Sequence, residues 1–467
     1  MRFNRLHEAT GYIVPTDYTQ TISRYAVELS YDDLPEVVRL KTKQIVMQAI
    51  GSALAAKDIS VSKKTETISI LGNNGNGGPC TSWGTGSSMS SVNAAFAAGV
   101  KSDLLGWGEC SDRGHFYSVI VPAAWVAAEE QGKGGREFLT AVVAAYEVCT
   151  RIANAVQPDK RHKKNGWGVT SWPIFGAVIA AGKLYDLDAR QMDQAIGLAC
   201  ECSTIPTTYS YTKMSDFLHC EYGNRARDGI LIAKSVKKGI NNARDTLDES
   251  SCYSCAMTDE WKPEYYTQGL GTDYMILDTR LKHWPGCWKA QTALDITYRL
   301  VKEQGICAGQ IAGMTVETDY AGWAEVPEEG FRSILQAGFC LSYLLAALLY
   351  VPEPAQWYNR ENLEDRQLLE KARNIRILSG EQVEPVYLDT VLKEKGNTLV
   401  TITTCEGVVY TGEGDSMAFE DNDTGAVFRK QVQGVSPEFA ECAEVSLEEI
   451  EDCDNIAELR WIPGGKK

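Results

Sequence analysis

Five histidines occur in the 467 residues: His7, His115, His162, His219 and His283. Imidazole titrates near neutrality, so a histidine in a polar loop can take up and return protons. His115 stands in such a loop, ECSDRGHFYS, with Glu109 and Asp112 beside it and the apolar run FYSVIVPAAW behind it. One reading is a buried histidine with its hydrogen bonds satisfied. The other is a general acid–base whose ring is oriented by Glu109 or Asp112. Two lysines, Lys213 in YTKMSDFLH and Lys282 in RLKHWPGCW, are set among aromatic residues. Burial there would weaken the ammonium's hold on its proton, which suits a proton acceptor or an anion clamp.

Basic residues also gather at Lys160, Arg161, Lys163 and Lys164, at Arg225 and Arg227, and at Lys282 and Lys289, in a chain of net charge −16. That balance argues against nucleic acid and anionic membrane as partners, because phosphate-binding surfaces are basic. It leaves room for a small anionic substrate held in a local positive pocket. The 160–164 run reads equally well as a solvated face. Cys252 and Cys255 form a single CxxC with no second pair and no histidine at zinc spacing, so no metal site is expected. Neither a G-x-S-x-G elbow nor a P-loop is present, and chemistry without a cofactor is the expectation.

Such side chains need elements to hold them. Small residues pave the stretch from Ser91 to Cys202 in helical runs (NAAFAAG, VPAAWVAAEE, FLTAVVAAYEV, WPIFGAVIAAGKLYDL). Ala and Gly let helix axes approach closely, which predicts a tightly packed helical core with its polar chemistry in the loops. Helices are expected at 34–57, capped by Asp33, and at 91–101, 119–131, 136–156, 171–186, 188–201 and 226–239, with Asp188 capping the sixth of these seven. GTGSSMS at 84–90 reads as a turn leading into a helix. From about Leu270 the texture changes: IAGMTVETDY and ARNIRILSG read as strands, FRSILQAGFCLSYLLAALLYV as a helix, and TLVTITTCEGVVYTG as a hairpin turning near Glu406-Gly407. The expected fold is mainly α with a smaller α+β domain: a large helical domain over 1–269, an α+β lid over 270–415, and a segment over 416–467 packing back on the helices.

The fourteen cysteines are scattered, which suggests free thiols in a reducing cytoplasm. The N-terminus has no apolar h-region, and the longest apolar run, Phe339–Val351, falls short of a bilayer span, so neither a signal peptide nor a membrane segment is expected.

From Ala26 to Ala347 the chain resembles the MmgE/PrpD family, which includes 2-methylcitrate dehydratase, cis-aconitate decarboxylase and iminodisuccinate epimerase. Six blocks carry the resemblance in order: LPEVVRLKTKQIVMQAIGSALA, TSWGTGSSMSSVNAAFAAG, HFYSVIVPAAWVAAEE, GREFLTAVVAAYEVCTRI, GWGVTSWPIFGAVIAAGKLYDLDARQMDQAIGLA and LKHWPGCWKAQ. It implies a helical domain, an α+β lid, a homodimer and a small carboxylate substrate. It also implies site residues: His115 before the S-x-x-V-x-P-A helix, Lys213 after the central helices, and Lys282 with Cys287 in the block resembling K-P-Y-P-x-C. The family's D-x-D-D element is thinned to Glu109 with Asp112 nearby. Its G-x-H-x-T becomes Gly166-Trp167-Gly168-Val169-Thr170, and a further histidine becomes Gln291. Trp167, Thr170, Arg225, Tyr211, His219 and Cys287 are candidates for touching substrate, and Tyr211, Tyr222 or His219 could stand in for a missing histidine. The implied activity is a lyase, foremost a hydro-lyase on a hydroxy di- or tricarboxylate. An epimerase on a small dicarboxylate and an inactive relative serving as a binding protein are the alternatives.

Overall fold

The computed structural model describes residues 17–72, 77–164, 167–203, 214–248, 253–318, 324–379, 397–415 and 424–465. Long helices dominate its first half: Glu36–Ala55, Ser91–Asp103, Tyr117–Gln131, Gly135–Ala155, Pro173–Leu184, Ala189–Cys202 and Phe217–Lys237. Asp188 caps the Ala189–Cys202 helix as expected, its carboxylate accepting from Gln191 N at 2.8 Å. Asp33 does not cap the helix that follows it. It accepts from Ser30 N and Oγ at 2.9 and 2.6 Å inside a 3-10 turn, and Pro35 takes the cap position instead.

The small residues act where helices cross. A Cβ added to Gly99 would lie 2.9 Å from Gly223 Cα and 3.0 Å from Ser118 O, and one added to Gly223 would lie 2.6 Å from Phe96 O. The Ser91–Asp103 and Phe217–Lys237 helices therefore meet nearly backbone to backbone at Gly99 and Gly223. Glycine inside a helix costs about 1 kcal/mol relative to alanine. That penalty hides the first turns of the Phe217–Lys237 helix from a sequence reading, which starts it nine residues late.

Four two-residue strands form two ribbons: β1 (Cys80–Thr81) with β2 (Ser88–Met89), and β3 (Glu109–Cys110) with β4 (Arg280–Leu281). A four-stranded sheet follows, with β5 (Ile311–Thr318), β6 (Ile375–Ser379), β7 (Asn397–Thr404) and β8 (Val409–Asp415) in the order β6-β5-β7-β8. β5 and β6 run parallel, and β7 and β8 form the expected hairpin, with Gly407 at φ 81° in its turn. The strand read from ARNIRILSG is shorter than expected, since Ala372 and Arg373 close the Arg366–Arg373 helix. The helix expected over 331–351 is two helices, Ile334–Gly338 and Leu341–Tyr350. The carbonyls at the break face other partners: Gly338 O accepts from Cys287 N, and Phe339 O from Ala324 N, both at 2.9 Å.

Apolar side chains gather into two clusters. The larger joins the helices up to about residue 276 with Phe428–Ile462, and the second joins the sheet, the Gln291–Gln304 helix and residues 334–347. The Ser91–Asp103 helix passes from one to the other, its Ala94, Ala95 and Ala98 lying in the first and its Val100, with Leu104 and Leu105 just past its end, in the second. Residues 424–465 contact the first-half helices: Gln431 Nε2 donates to Trp107 O at 2.8 Å, and Ile456 N to Lys133 O at 2.8 Å. No helix among the described residues is long and apolar enough to cross a membrane. The thirteen described cysteines are all free of disulfides.

Candidate active site

The β3–β4 ribbon brings together segments about 170 positions apart. Glu109 pairs with Leu281 and Cys110 with Arg280, and Lys282 follows directly. The Lys282 side chain is 2% exposed, and its Nζ donates to Gly106 O at 2.8 Å and Gly286 O at 3.2 Å. Both glycines have positive φ, 55° and 108°, and a Cβ on Gly286 would lie 2.9 Å from Tyr358 Oη. Two of the three ammonium hydrogens are thus held by carbonyls. Gln291, which stands where the family resemblance implies a histidine, has a different task. Its Oε1 accepts from His283 N and Trp284 N at 3.1 and 3.0 Å, and its Nε2 donates to Trp284 O at 2.9 Å. It staples the loop that carries Lys282.

His115 lies at the entrance to the Tyr117–Gln131 helix. Its Nδ1 is 2.8 Å from Glu109 O, and since a carbonyl only accepts, Nδ1 carries the hydrogen and Nε2 keeps its lone pair. Loss of hydration around the ring, reinforced by the positive charge of Lys282, pushes its pKa down to about 3. His115 is therefore a neutral base of defined tautomer. Glu109 sets that tautomer through its main-chain carbonyl. Its carboxylate works elsewhere: Oε1 accepts from Phe116 N, Tyr117 N and Tyr146 Oη at 2.6, 2.9 and 2.8 Å, covering the start of the helix. Its Oε2 is buried with no partner among the described residues. Burial raises the Glu109 pKa to about 7 against the opposing pull of those hydrogen bonds.

One turn beyond Gly99 stands Asp103, and one turn before Gly223 stands His219. The close helix crossing puts the two in contact, with His219 Nδ1 2.6 Å from Asp103 Oδ2. Ser118 Oγ donates to the other carboxylate oxygen at 3.2 Å. Both residues are 5% exposed, and His219 Nε2 has no partner among the described residues.

His115, His219, Asp103 and Lys282 share the wall of one cavity of about 60 Å³ at the seam between the two apolar clusters, with Cys287, Leu104 and Leu335. That is on the order of a few water molecules. Burial pushes the Cys287 thiol up, so it stays protonated.

Other expected site residues lie apart from this cavity. Arg225 is buried, donating from Nε to Thr170 O at 3.2 Å and from Nη1 to Cys202 O at 3.0 Å. Thr170 Oγ1 donates to Glu221 Oε2 at 3.0 Å, and Trp167 packs against the larger apolar cluster. Asp112 lines a separate hollow with Arg113 and Asn154. Lys213 and Tyr211 lie outside the described residues. In the basic run, Arg161 pairs with Asp259 at 2.9 Å and His162 Nδ1 meets Asp159 Oδ2 at 2.7 Å. Asp159, His162 and Asp259 bring potential metal ligands within 4.8 Å of one another. These ion pairs and hydrogen bonds already account for that closeness.

Asp103 is a cavity-lining residue that sequence reasoning missed. Its signal is positional: an acid one turn after a glycine in an alanine-rich helix.

Comparison with known proteins gives this geometry a context. Residues 20–265 match the MmgE/PrpD N-terminal domain. A cis-aconitate decarboxylase-like protein oryM of Aspergillus oryzae is 26% identical over 291 residues, 56% of this chain and 57% of that protein. Two cis-aconitate decarboxylases of Aspergillus terreus are each 24% identical, over 78% and 71% of this chain and 79% and 71% of their own lengths.

Proposed function

Because the chain belongs to the MmgE/PrpD family, we propose that it is a lyase acting on a small hydroxy di- or tricarboxylate, removing water by proton abstraction next to a carboxylate. The observation that supports this most is the neutral His115, its Nε2 free to act as base, sharing a buried cavity with the Lys282 ammonium. Lys282 would hold the substrate carboxylate and stabilise the negative charge that develops on it as the carbon loses its proton to His115. The surrounding carbonyls keep the ammonium in place before substrate arrives, so little reorganisation is needed in the reaction.

Decarboxylation of the same class of acid is the second reading, favoured by the names of the three relatives. A fixed neutral base suits proton removal better than loss of CO₂, whose carbanion needs a proton donor. Incubation with 2-methylcitrate, citrate, cis-aconitate and iminodisuccinate in deuterated water separates the outcomes. A new conjugated double bond without CO₂ supports dehydration, CO₂ release supports decarboxylation, and deuterium uptake alone supports epimerisation. If none of the acids is changed, the lyase reading fails and a binding role takes its place. The family resemblance also supports a homodimer and the division near residues 269 and 415, and the scattered cysteines support a cytoplasmic location. Sedimentation equilibrium and limited proteolysis test the assembly and the division.

A further inference from the structure

A base alone does not complete a dehydration, because hydroxide is a poor leaving group and needs a proton as the carbon–oxygen bond breaks. His115 is ill suited to supply it, being held neutral with its one N–H bound to Glu109 O. The same cavity contains a second imidazole, held by a carboxylate rather than a carbonyl. His219 has its Nδ1 on the Asp103 carboxylate at 2.6 Å, and its Nε2 is buried at the cavity without a partner among the described residues. A carboxylate behind an imidazole fixes the tautomer and balances the charge of the imidazolium, while the far nitrogen is left to exchange a proton with a ligand. An unpartnered buried nitrogen is unfavourable unless a ligand completes it.

We infer that His219, positioned by Asp103, is the second proton carrier of this site and protonates the departing hydroxyl group. The inference rests on the lyase reading above. The sequence is stepwise. His115 Nε2 takes the proton from the carbon next to the carboxylate held by Lys282, leaving an enolate-like carbanion. The electron pair then forms the carbon–carbon double bond as the carbon–oxygen bond breaks, and the oxygen leaves as water with the proton from His219 Nε2. His115 ends protonated and His219 neutral, and proton exchange with solvent restores both. His219 is a catalytic residue in this scheme and Asp103 a positioning residue.

The test uses the full chain with 2-methylcitrate and citrate in deuterated water, following deuterium at carbon in the recovered acid separately from formation of the alkene. In His219→Asn, whose amide can still donate to Asp103, alkene formation should fall on the order of 100-fold or more while deuterium uptake stays within a few-fold of wild type. Asp103→Asn should show the same split in weaker form, which a purely structural defect would not produce. His115→Asn should lose both signals. Imidazole added to His219→Gly should restore part of the alkene formation. The inference is overturned if His219→Asn forms alkene like wild type, or if it loses exchange and dehydration together while its melting curve matches wild type. If wild type itself neither exchanges nor dehydrates either acid, the lyase reading falls and takes the inference with it.

Discussion

At the scale of single residues, the proposed site would divide proton work by environment. A His115 pKa near 3 means that protonation of this ring cannot limit activity near neutrality. kcat/KM should therefore show no acid limb centred near the ordinary histidine value of about 6.5 as pH falls from 8 to 5. A limb there, removed by substitution of His115, would contradict the assigned state. Glu109 gives a stability prediction of opposite sign. Its folded pKa of about 7 lies above the usual carboxyl value, so its contribution is intact below about pH 4.5 and declines as pH rises toward 7. Glu109→Gln removes that titration, so the variant should gain on wild type between pH 5 and 8 by up to about 3 kcal/mol, read from urea unfolding at each pH. A constant difference across that range would refute it. His115 and Lys282 could be picked out because they stand in blocks with a recognisable order, and Glu109 because it is an acid close to His115 in the chain. Asp103 was not, because its partner lies 116 positions away and only the packed helices show that the two meet.

At the scale of elements, the reactive groups depend on residues that do no chemistry. Gly223→Ala would place a methyl group 2.5 Å from Val100 Cγ2 and 2.6 Å from Phe96 O, forcing apart the helices that carry His219 and Asp103. Overpacking of this kind costs roughly 1–3 kcal/mol, and activity should fall further than the lower melting temperature explains. Gln291→Ala would strip His283 N and Trp284 N of their acceptor, at about 1–3 kcal/mol for each buried group left unpaired. Loosening of that loop should raise KM for the carboxylate, and an unchanged KM would argue against Gln291 as the staple of Lys282. Most long helices could be placed from periodicity and small-residue content, but those at Tyr18–Glu28 and Ser60–Leu71 were not read. Two other departures have local causes: an interior glycine dictated by packing in the Phe217–Lys237 helix, and carbonyls drawn to other partners at Phe339.

At the scale of the whole molecule, the net charge of −16 bears on the anionic substrate proposed above. Long-range repulsion should slow substrate capture, so kcat/KM should rise on going from 10 to 150 mM salt as that repulsion is screened, provided the Lys282 contact persists. A fall instead would mean that local attraction dominates. The change of texture near residue 270 was legible in the sequence, but the seam between the two apolar clusters, where the cavity forms, was not. Seams arise from contacts between distant segments, and local patterns carry no record of them. The β3–β4 ribbon has a consequence of this kind for the order of events during synthesis. A nascent chain that has emerged only to residue 279 possesses His115, His219 and Asp103 but no β4 and no Lys282. The anion clamp can arise only after that distant strand docks, a late closure of a very long loop. Until then His115, His219 and Asp103 are present without the lysine that completes the cavity wall, and the helical core still lacks Phe428–Ile462.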